Sequence, residues 1–206
     1  MGKTMRHTIT IQRCTGAEVE RYIPDVARLR IEVFRDYPYL YEGDMAYEAN
    51  YLRTYSASPD SVIVIAFDGE QVVGASTAVP LRHETDEIKQ PFIAHGINPQ
   101  QVFYLGVSVL RRGYRGRGIG VRFFQEREAH ARDLGDFHWC AFCAVERPVD
   151  HPRRPADFVP LDGFWNKRGY FKHPELRTTL TWRELDEPAP SPKPMVFWMK
   201  HFNSPS

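Results

Sequence analysis

The residues best suited to chemistry form a glycine- and arginine-rich segment near the middle of the chain. The segment is Arg115-Gly116-Arg117-Gly118-Ile119-Gly120, and it follows the apolar run Gln101–Leu110, which is typical of a buried strand. Backbone N–H groups at a helix start lack partners within the helix, and glycines let an anion approach them closely. The helix dipole adds positive charge there. The segment therefore predicts a polyphosphate-binding site, surrounded by the basic side chains of Arg111, Arg112, Arg115, Arg117 and Arg122.

Other known glycine-rich motifs have glycine spacings that differ from the one in this segment. A Rossmann dinucleotide site needs G-x-G-x-x-G close behind a strand, within alternating βαβ units. This chain has G-x-G-x-G, with five residues between Leu110 and Gly116, among hairpins. A Walker A loop needs G-K-[ST], which does not follow. A glycine-rich turn with solvated arginines stays open as the structural alternative.

Two motifs resemble those of one enzyme superfamily. Arg115 to Gly120 matches the [RQ]-x-x-G-x-[GA] signature of the GNAT acetyltransferases. Further on, Phe164-Trp165-Asn166-Lys167-Arg168-Gly169-Tyr170 is similar to that family's F-Y-x-K-x-G-F segment, in the same order along the chain. The chain departs from the family in Arg111, where Pro is frequent, and in Trp165, where Tyr is frequent. The resemblance implies an acyltransferase that uses acetyl-CoA as cosubstrate and acetylates a primary amine by direct attack.

The resemblance also implies roles for individual residues. The backbone N–H groups of the glycine loop hold the pyrophosphate of acetyl-CoA. The N–H of Val109 donates to the developing oxyanion, and the side chains of Val107 and Val109 line the acetyl and pantetheine channel. The implied cofactor-binding residues are Val107, Val109, Arg115, Gly116, Arg117, Gly118, Ile119 and Gly120.

The proton transfers are less well specified by the sequence. Trp165 occupies the position of the family's acidic Tyr, but an indole N–H donates a hydrogen bond without releasing a proton at neutral pH. Tyr104 and Cys143 are further acid candidates, and packed strand positions are the alternative for both. Glu146 is the expected general base, acting directly or through water, with Glu32 as a second candidate. A solvated glutamate at a strand end is the structural alternative for Glu146.

Two loops are expected to build the acceptor site. The loop from Tyr37 to Glu42 is rich in aromatic residues and ends in a carboxylate, so Tyr39 and Glu42 could hold an amine by cation–π contact and charge pairing. In the Pro-rich loop 147–161, Arg154 would suit an acceptor carboxylate or phosphate. The combination favours a small zwitterionic amine, and a protein amine is also compatible.

Composition sets the broader expectations. The chain has 206 residues, 42% hydrophobic and 26% charged, with a net charge of +1. We expect a single domain over residues 1–206, in the cytoplasm, without a signal peptide, a membrane association, a nucleic-acid partner or a metal. Cys140 and Cys143 form a C-x-x-C within an apolar strand, where their side chains face opposite ways, so buried reduced thiols are expected. Monomer and homodimer both stay open.

The pattern of elements predicts a mixed α/β fold in the order β-α-α-β-β-β-α-β-α-β-β. The resemblance implies a central, mostly antiparallel sheet with helices on both faces. The first strand is predicted over 7–13, and the first helix from an Asp25 cap after Pro24 to 36. Asp44 should cap the second helix, and a hairpin should turn at Asp68-Gly69. Helix 118–134 and strands 101–110, 137–145, 176–184 and 195–202 follow, with a helical excursion in 83–100 and a short helix over 162–168.

The sequence is also compatible with a second function of a different class. Because the family's Tyr is replaced by Trp165, the chain could be a non-catalytic acyl-CoA-binding or sensor domain with the same fold.

Overall fold

The structure is a computed structural model that describes residues 8–135 and 137–202. Its strands are β1 (Ile9–Thr15), β2 (Val62–Asp68), β3 (Gln71–Pro80), β4 (Val102–Leu110), β5 (Trp139–Val145), β6 (Phe171–Trp182) and β7 (Ser191–His201). Its α-helices are α1 (Ala17–Phe34), α2 (Met45–Ala57), α3 (Asp86–Ala94), α4 (Ile119–Leu134) and α5 (Asp162–Asn166). Within this part of the chain, no helix is long and apolar enough to cross a membrane.

The seven strands form one sheet in the order β1-β2-β3-β4-β5-β7-β6. All neighbours are antiparallel except β4 and β5, which run parallel. The predicted hairpin of β2 and β3 is confirmed, with Asp68↔Gln71 as its last pair. Of the two predicted turn residues, Gly69 alone has a positive φ, of 60°, and Asp68 ends the strand.

Helices cover both faces of the sheet. Along β2, Val62 and Val64 pack on the α4 side, whereas Ile63 and Ile65 pack against α1 and α2. Helix α3 covers the same side as α1 and α2, over β4 to β7, where Phe92 packs edge-on against Phe197. This period of two is expected of strands buried on both sides. The predicted fold class, a mostly antiparallel sheet with helices on both faces, is confirmed.

A bulge in β4 turns that strand over. From Leu105 to Ser108, β4 advances three residues while β3 advances two. The extra residue changes which side chains face which helices, so Leu105 packs on the α4 side and Val107 packs against α1. Gly106 lies at this bulge, and a Cβ there would stand 1.7 Å from the hydroxyl oxygen of Tyr55. The bulge therefore requires glycine.

The first helix begins earlier than predicted. It starts at Ala17, so the expected cap at Asp25 is wrong, and Pro24 lies inside the helix. Buried Val19 extends the apolar face of the helix toward its start. Pro24 and Glu20 are both exposed, so the Glu20 carbonyl that loses its helical donor faces water.

The other boundaries follow the prediction more closely. Asp44 caps α2, because its carboxylate accepts from the N–H of Tyr47 over 2.9 Å. Strands β6 and β7 begin at Phe171 and Ser191, before the predicted 176 and 195, and the polar start of β6 fits an edge strand. Of the predicted first strand, residue 7 lies outside the described residues.

Candidate active site

Strands β4 and β5 separate in the centre of the sheet. They pair over three residues only, and the last pair is Tyr104↔Ala141. Beyond it, β4 continues along β3 to Leu110, and β5 continues along β7 to Val145. The result is a V-shaped opening, closed at Tyr104 and widening toward the glycine loop that follows β4.

The N–H of Val109 points toward β3. The N–H of Arg111 donates to the carbonyl oxygen of Val73 over 3.0 Å. Because hydrogen-bonded pairs alternate along antiparallel strands, the next such pair is Ala75↔Val109. The Val109 N–H is therefore not directed to the opening, contrary to the expectation, because the strand register determines which N–H groups face it.

The N–H groups of Ser108 and Leu110 face the opening instead. The N–H of Val107, the residue before Ser108, also points to β3, where it donates to the Thr77 hydroxyl over 2.9 Å. Successive N–H groups point to opposite edges of a strand, which leaves Ser108 directed toward the gap. Ser108 is exposed although its strand is central. The side chains of Val107 and Val109 are buried against α1, so the structure places them in the core.

The glycine loop begins at the wide end of the opening. Gly116 and Gly118 have φ values of 75° and 78°, which favour glycine. A Cβ at either position would meet no atom within 4 Å, so the backbone is open to an approaching group. The Arg122 N–H makes the first helical bond, to the Gly118 carbonyl over 3.1 Å, which leaves the N–H groups of 119–121 without helical partners. This cradle fits a pyrophosphate.

The arginines around the loop mostly bind the protein itself. Arg115 donates to the Leu110 carbonyl over 3.2 Å, and Arg117 donates to the Gly113 carbonyl over 3.0 Å. The loop shape is thus held by side chains, and its backbone N–H groups are the donors left open to an anion. Two more of these arginines form ion pairs with carboxylates, Arg111 with Glu32 at 3.0 Å and Arg122 with Glu126 at 3.1 Å.

A buried carboxyl group lies beside the β4 bulge. Glu84 is 7% exposed, and one of its oxygens accepts from the Tyr55 hydroxyl over 3.1 Å. The other oxygen accepts from the Thr85 N–H over 3.2 Å. Burial raises the pKa of Glu84 above its ordinary value, against these two hydrogen bonds, which lower it. The hydroxyl of Tyr55 also contacts Gly106, so Tyr55 links the carboxyl group to the bulge.

Two proposed acid groups meet across the opening. The Tyr104 hydroxyl lies 3.2 Å from the Cys143 sulfur. Burial raises the pKa of the Cys143 thiol to about 12 and the pKa of Tyr104 well above its usual range, so both are protonated at neutral pH. Cys140 faces the opposite side, toward α4, as expected of strand residues three apart, and it is buried whereas Cys143 is half-buried.

Trp165 stands on the α4 side of the sheet. Its ring packs edge-on against Phe142 and Trp198, with centroids 5.0 and 4.9 Å apart. The neighbouring Phe164 lies against the glycine loop, 3.3 Å from where a Cβ on Gly120 would stand. Helix α5 therefore places Phe164 beside the loop and Trp165 over β5 and β7, across the sheet from Glu84.

Glu146 is directed away from the opening. Its carboxylate forms an ion pair with Arg177 of β6. Strand β6 is the outermost strand on the far side of β5 from β4. This arrangement favours the structural alternative for Glu146.

The two expected acceptor loops do meet. The Tyr37 ring packs edge-on against Phe158, with centroids 4.7 Å apart. The Tyr39 ring packs at a tilt against the Phe34 ring, with centroids 4.4 Å apart. Burial and then nearby Cys143 of β5 raise the pKa of Tyr39. Of the other predicted contacts, Glu42 pairs with Arg35 at the surface over 3.4 Å, and Arg154 lies over Phe158 at 5.0 Å.

Sequence reasoning missed Glu84, Tyr55, Ser108 and Arg30. The contact between Glu84 and Tyr55 joins residues 29 positions apart, and the role of Ser108 depends on strand register. Arg30 carried a readable signal, because it interrupts the apolar face of α1 and is 8% exposed. Among the described residues, no cluster of three or more His, Cys, Asp or Glu side chains could hold a metal.

Comparisons with known proteins identify the family. A model described as the acetyltransferase (GNAT) family matches residues 26–154. The chain belongs to the GNAT acetyltransferase family and is accordingly an acyltransferase. No curated protein matches the chain.

Solved structures share the fold at low sequence identity. A ribosomal-protein-alanine N-acetyltransferase from Brucella melitensis is 15% identical with a TM-score of 0.58, covering 94% of this chain and 99% of its own. The yncA protein of Salmonella typhimurium, with its cofactor acetyl-CoA, is 10% identical with a TM-score of 0.58, covering 96% of each chain. A PaiA N-acetyltransferase from Thermoplasma acidophilum, in complex with coenzyme A, is 12% identical with a TM-score of 0.53, covering 95% and 99%.

Proposed function

We propose that the protein transfers the acetyl group of acetyl-CoA to a primary amine by direct attack. The observation that carries this proposal is the β4–β5 opening, which the Ser108 N–H faces and which leads into the glycine loop. Acetyl-CoA, when bound, supplies the acetyl group as a thioester. Two structures with this fold, yncA and PaiA, hold acetyl-CoA and coenzyme A, which supports the same cosubstrate here.

The backbone from Arg115 to Gly120 would hold the pyrophosphate. Its N–H groups need no side chain, and the start of α4 adds a favourable dipole. The Leu110 N–H, one step before the loop, would bind an amide oxygen of the pantetheine arm. The end of β4 and the loop that follows it would thus orient the thioester.

Ser108 takes the role that the sequence assigned to Val109. Its N–H would stabilise negative charge developing on the thioester carbonyl oxygen. The bulge fixes the direction of this N–H before the reaction, so little reorganisation is needed. Losing one such donor costs an enzyme about 100- to 1,000-fold in turnover.

Glu84 is the general base that the geometry favours, acting through Tyr55. An amine at the opening lies next to the Tyr55 hydroxyl, which contacts Gly106 and donates to Glu84. The hydroxyl can accept the amine proton while passing its own to the carboxylate. The raised pKa of Glu84, caused by burial, makes this carboxylate a stronger base than an exposed one. Glu146 is the second candidate, weakened by its ion pair with Arg177.

Trp165 would stabilise the departing sulfur by hydrogen bonding from its indole N–H. Because indole does not release this proton, the thiolate would leave unprotonated and take up its proton afterwards. Tyr39 would line the acceptor site, with Glu42 and Arg154 nearer the surface. A small amine and a protein amine both remain acceptors to test.

The Trp at position 165 favours a second candidate, a non-catalytic acyl-CoA-binding or sensor domain. Calorimetric titration with acetyl-CoA, CoA and NAD, followed by thiol release with a panel of amines, separates the two. Binding of both CoA species with inert NAD and amine-dependent thiol release would support the enzyme. Binding without thiol release would favour the sensor, and no binding would contradict both.

A further inference from the structure

A buried arginine lies between α1 and α2. The Nε of Arg30 donates to one oxygen of Glu48 over 2.5 Å, and the Tyr41 hydroxyl donates to the other over 2.8 Å. Glu48 is fully buried, and its two oxygens are both hydrogen-bonded. The pair therefore fixes the position of the guanidinium group while satisfying the carboxylate.

The two terminal nitrogens of Arg30, Nη1 and Nη2, differ from its Nε in their hydrogen bonding. Within residues 8–135 and 137–202, neither Nη donates a hydrogen bond to the protein, although the side chain is 90% buried (10% exposed). Neither nitrogen is sealed from solvent. Their donors lie along one edge of a planar fork that suits two parallel hydrogen bonds. Solvent thus reaches this edge of an otherwise buried group, and a ligand with two acceptor oxygens could replace the water there.

The fork lies on the acceptor side of the opening. Its guanidinium carbon stands 4.0 Å from the centre of the Tyr51 ring. Burial raises the pKa of Tyr51 to about 12, Glu84 and Cys143 also raise it, and Arg30 and a hydrogen bond with Tyr55 lower it. Beyond Tyr51, the ring of Tyr55 follows at 6.2 Å.

We propose that the Arg30 fork binds a carboxylate of the acceptor, so that the substrate is an amine that also carries a carboxylate. This inference rests on the proposed N-acetyltransferase function and names its substrate class. The carboxylate contacts Arg30, and the amine points toward Tyr55 and Glu84. Tyr39 and Tyr51 line the space between the two ends.

Charge favours a carboxylate over a phosphate. Arg30 and Glu48 together are neutral, so the fork offers directed hydrogen bonds without a net positive charge. A singly charged planar carboxylate matches two parallel donors. A doubly charged phosphate would bring an excess negative charge next to buried Glu48.

The test uses pairs of acceptors that differ in one group. Amino acids and their carboxamides are compared as substrates, and the amino acids are also titrated by calorimetry in the presence of CoA. We expect wild-type kcat/KM to favour the acids roughly 10- to 100-fold. Arg30→Lys keeps a charge beside Glu48 but removes the fork, and it should lose most of this preference with an unchanged KM for acetyl-CoA.

Two further variants complete the design. Arg30→Met with Glu48→Gln removes both charges together, which avoids a lone buried charge if Arg30→Lys folds poorly. Arg28→Lys, on the exposed face of α1, is the matched control and should keep the preference. Equal use of acids and amides by wild type, or an undiminished preference in the folded Arg30 variants, would overturn the carboxylate site. Carboxylate binding without any acetyl transfer would instead overturn the proposed function and keep the site.

Discussion

The guanidinium of Arg127, on α4, donates to the carbonyl oxygen of Val107, on β4, over 3.2 Å. The same nitrogen donates to the Thr77 carbonyl on β3 over 3.3 Å, and Nε donates to the Phe123 carbonyl over 3.1 Å. Arg127 is 1% exposed, and burial lowers its pKa to about 10. One side chain thus fastens the helix that carries the glycine loop to the bulge from which the Ser108 N–H projects.

Replacing Arg127 should separate orientation from cofactor binding. Arg127→Met leaves the carbonyls of Thr77 and Val107 without their donor, which should lower the free energy of unfolding by about 2–4 kcal/mol. The bulge would shift, and kcat should fall about 100-fold, because small misplacements at a reacting centre are costly. Affinity for acetyl-CoA, measured by calorimetry, should change little. Arg127→Lys should restore part of kcat, since an ammonium group can still reach a carbonyl.

Arg132→Met provides the control, because Arg132 lies on the same helix with its side chain 47% exposed. It should leave kcat and unfolding by urea near wild type. If Arg127→Met lost stability but kept its kcat at low temperature, Arg127 would be a purely structural residue.

A negative charge introduced into the glycine loop should weaken acetyl-CoA binding. Gly118→Asp places a carboxylate where the pyrophosphate is proposed to bind, so we expect acetyl-CoA affinity to fall at least about 10-fold. Gly96→Asp is a matched control, because Gly96 has a similar φ of 72° and equally open surroundings at the end of α3. Calorimetry on both variants removes the cost of backbone strain from the comparison. Equal affinities in the two variants would mean that the loop is not the pyrophosphate site.

Local sequence patterns predicted much of this fold, including the glycine loop before α4. Asp44 and the β2–β3 hairpin are local signals, and the structure confirms both. The start of α1 was missed, because an exposed proline is tolerated within a helix that packing stabilises.

The reacting centre depends on long-range contacts that no local pattern encodes. The bulge decides that the Ser108 N–H, and not that of Val109, faces the opening. Glu84 became a base candidate only because Tyr55, from α2, reaches it. Arg127 interrupts the apolar stripe of α4 in the sequence. The structure explains this interruption, because Arg127 donates to the carbonyl oxygens of Thr77 and Val107 at the bulge.

Trp165 offers a test of how the sulfur leaves. Trp165→Phe keeps an aromatic ring against Phe142 and Trp198 but removes the indole N–H, so kcat should fall several-fold with little change in stability. Trp165→Tyr returns a hydroxyl that can release a proton, and it should raise kcat above that of Trp165→Phe. Acetyl transfer by both variants at the wild-type rate would leave Trp165 without a polar role.

The base assignment makes a prediction about pH. Burial raises the pKa of Glu84 above the ordinary value of a glutamate. The carboxylate form is the one that accepts a proton, so kcat/KM should fall as the pH decreases through this raised pKa. Glu84→Gln cannot accept the proton, and it should lower kcat/KM about 100- to 10,000-fold while removing this acidic limb of the profile.

Glu87→Gln is the comparison, because Glu87 lies exposed on the adjacent α3. It should keep the rate and the acidic limb, with the limb shifted slightly to lower pH because the Glu87 charge contributes to the raised pKa of Glu84. Tyr55→Phe distinguishes relay from direct contact, since it keeps the ring on the bulge but interrupts the path to Glu84. If the amine reaches Glu84 only through Tyr55, then Tyr55→Phe and Glu84→Gln should reduce kcat/KM by similar factors, and the double variant should be no slower than either. Additive losses would mean that Tyr55 and Glu84 act separately, and a retained acidic limb in Glu84→Gln would assign the base to another residue.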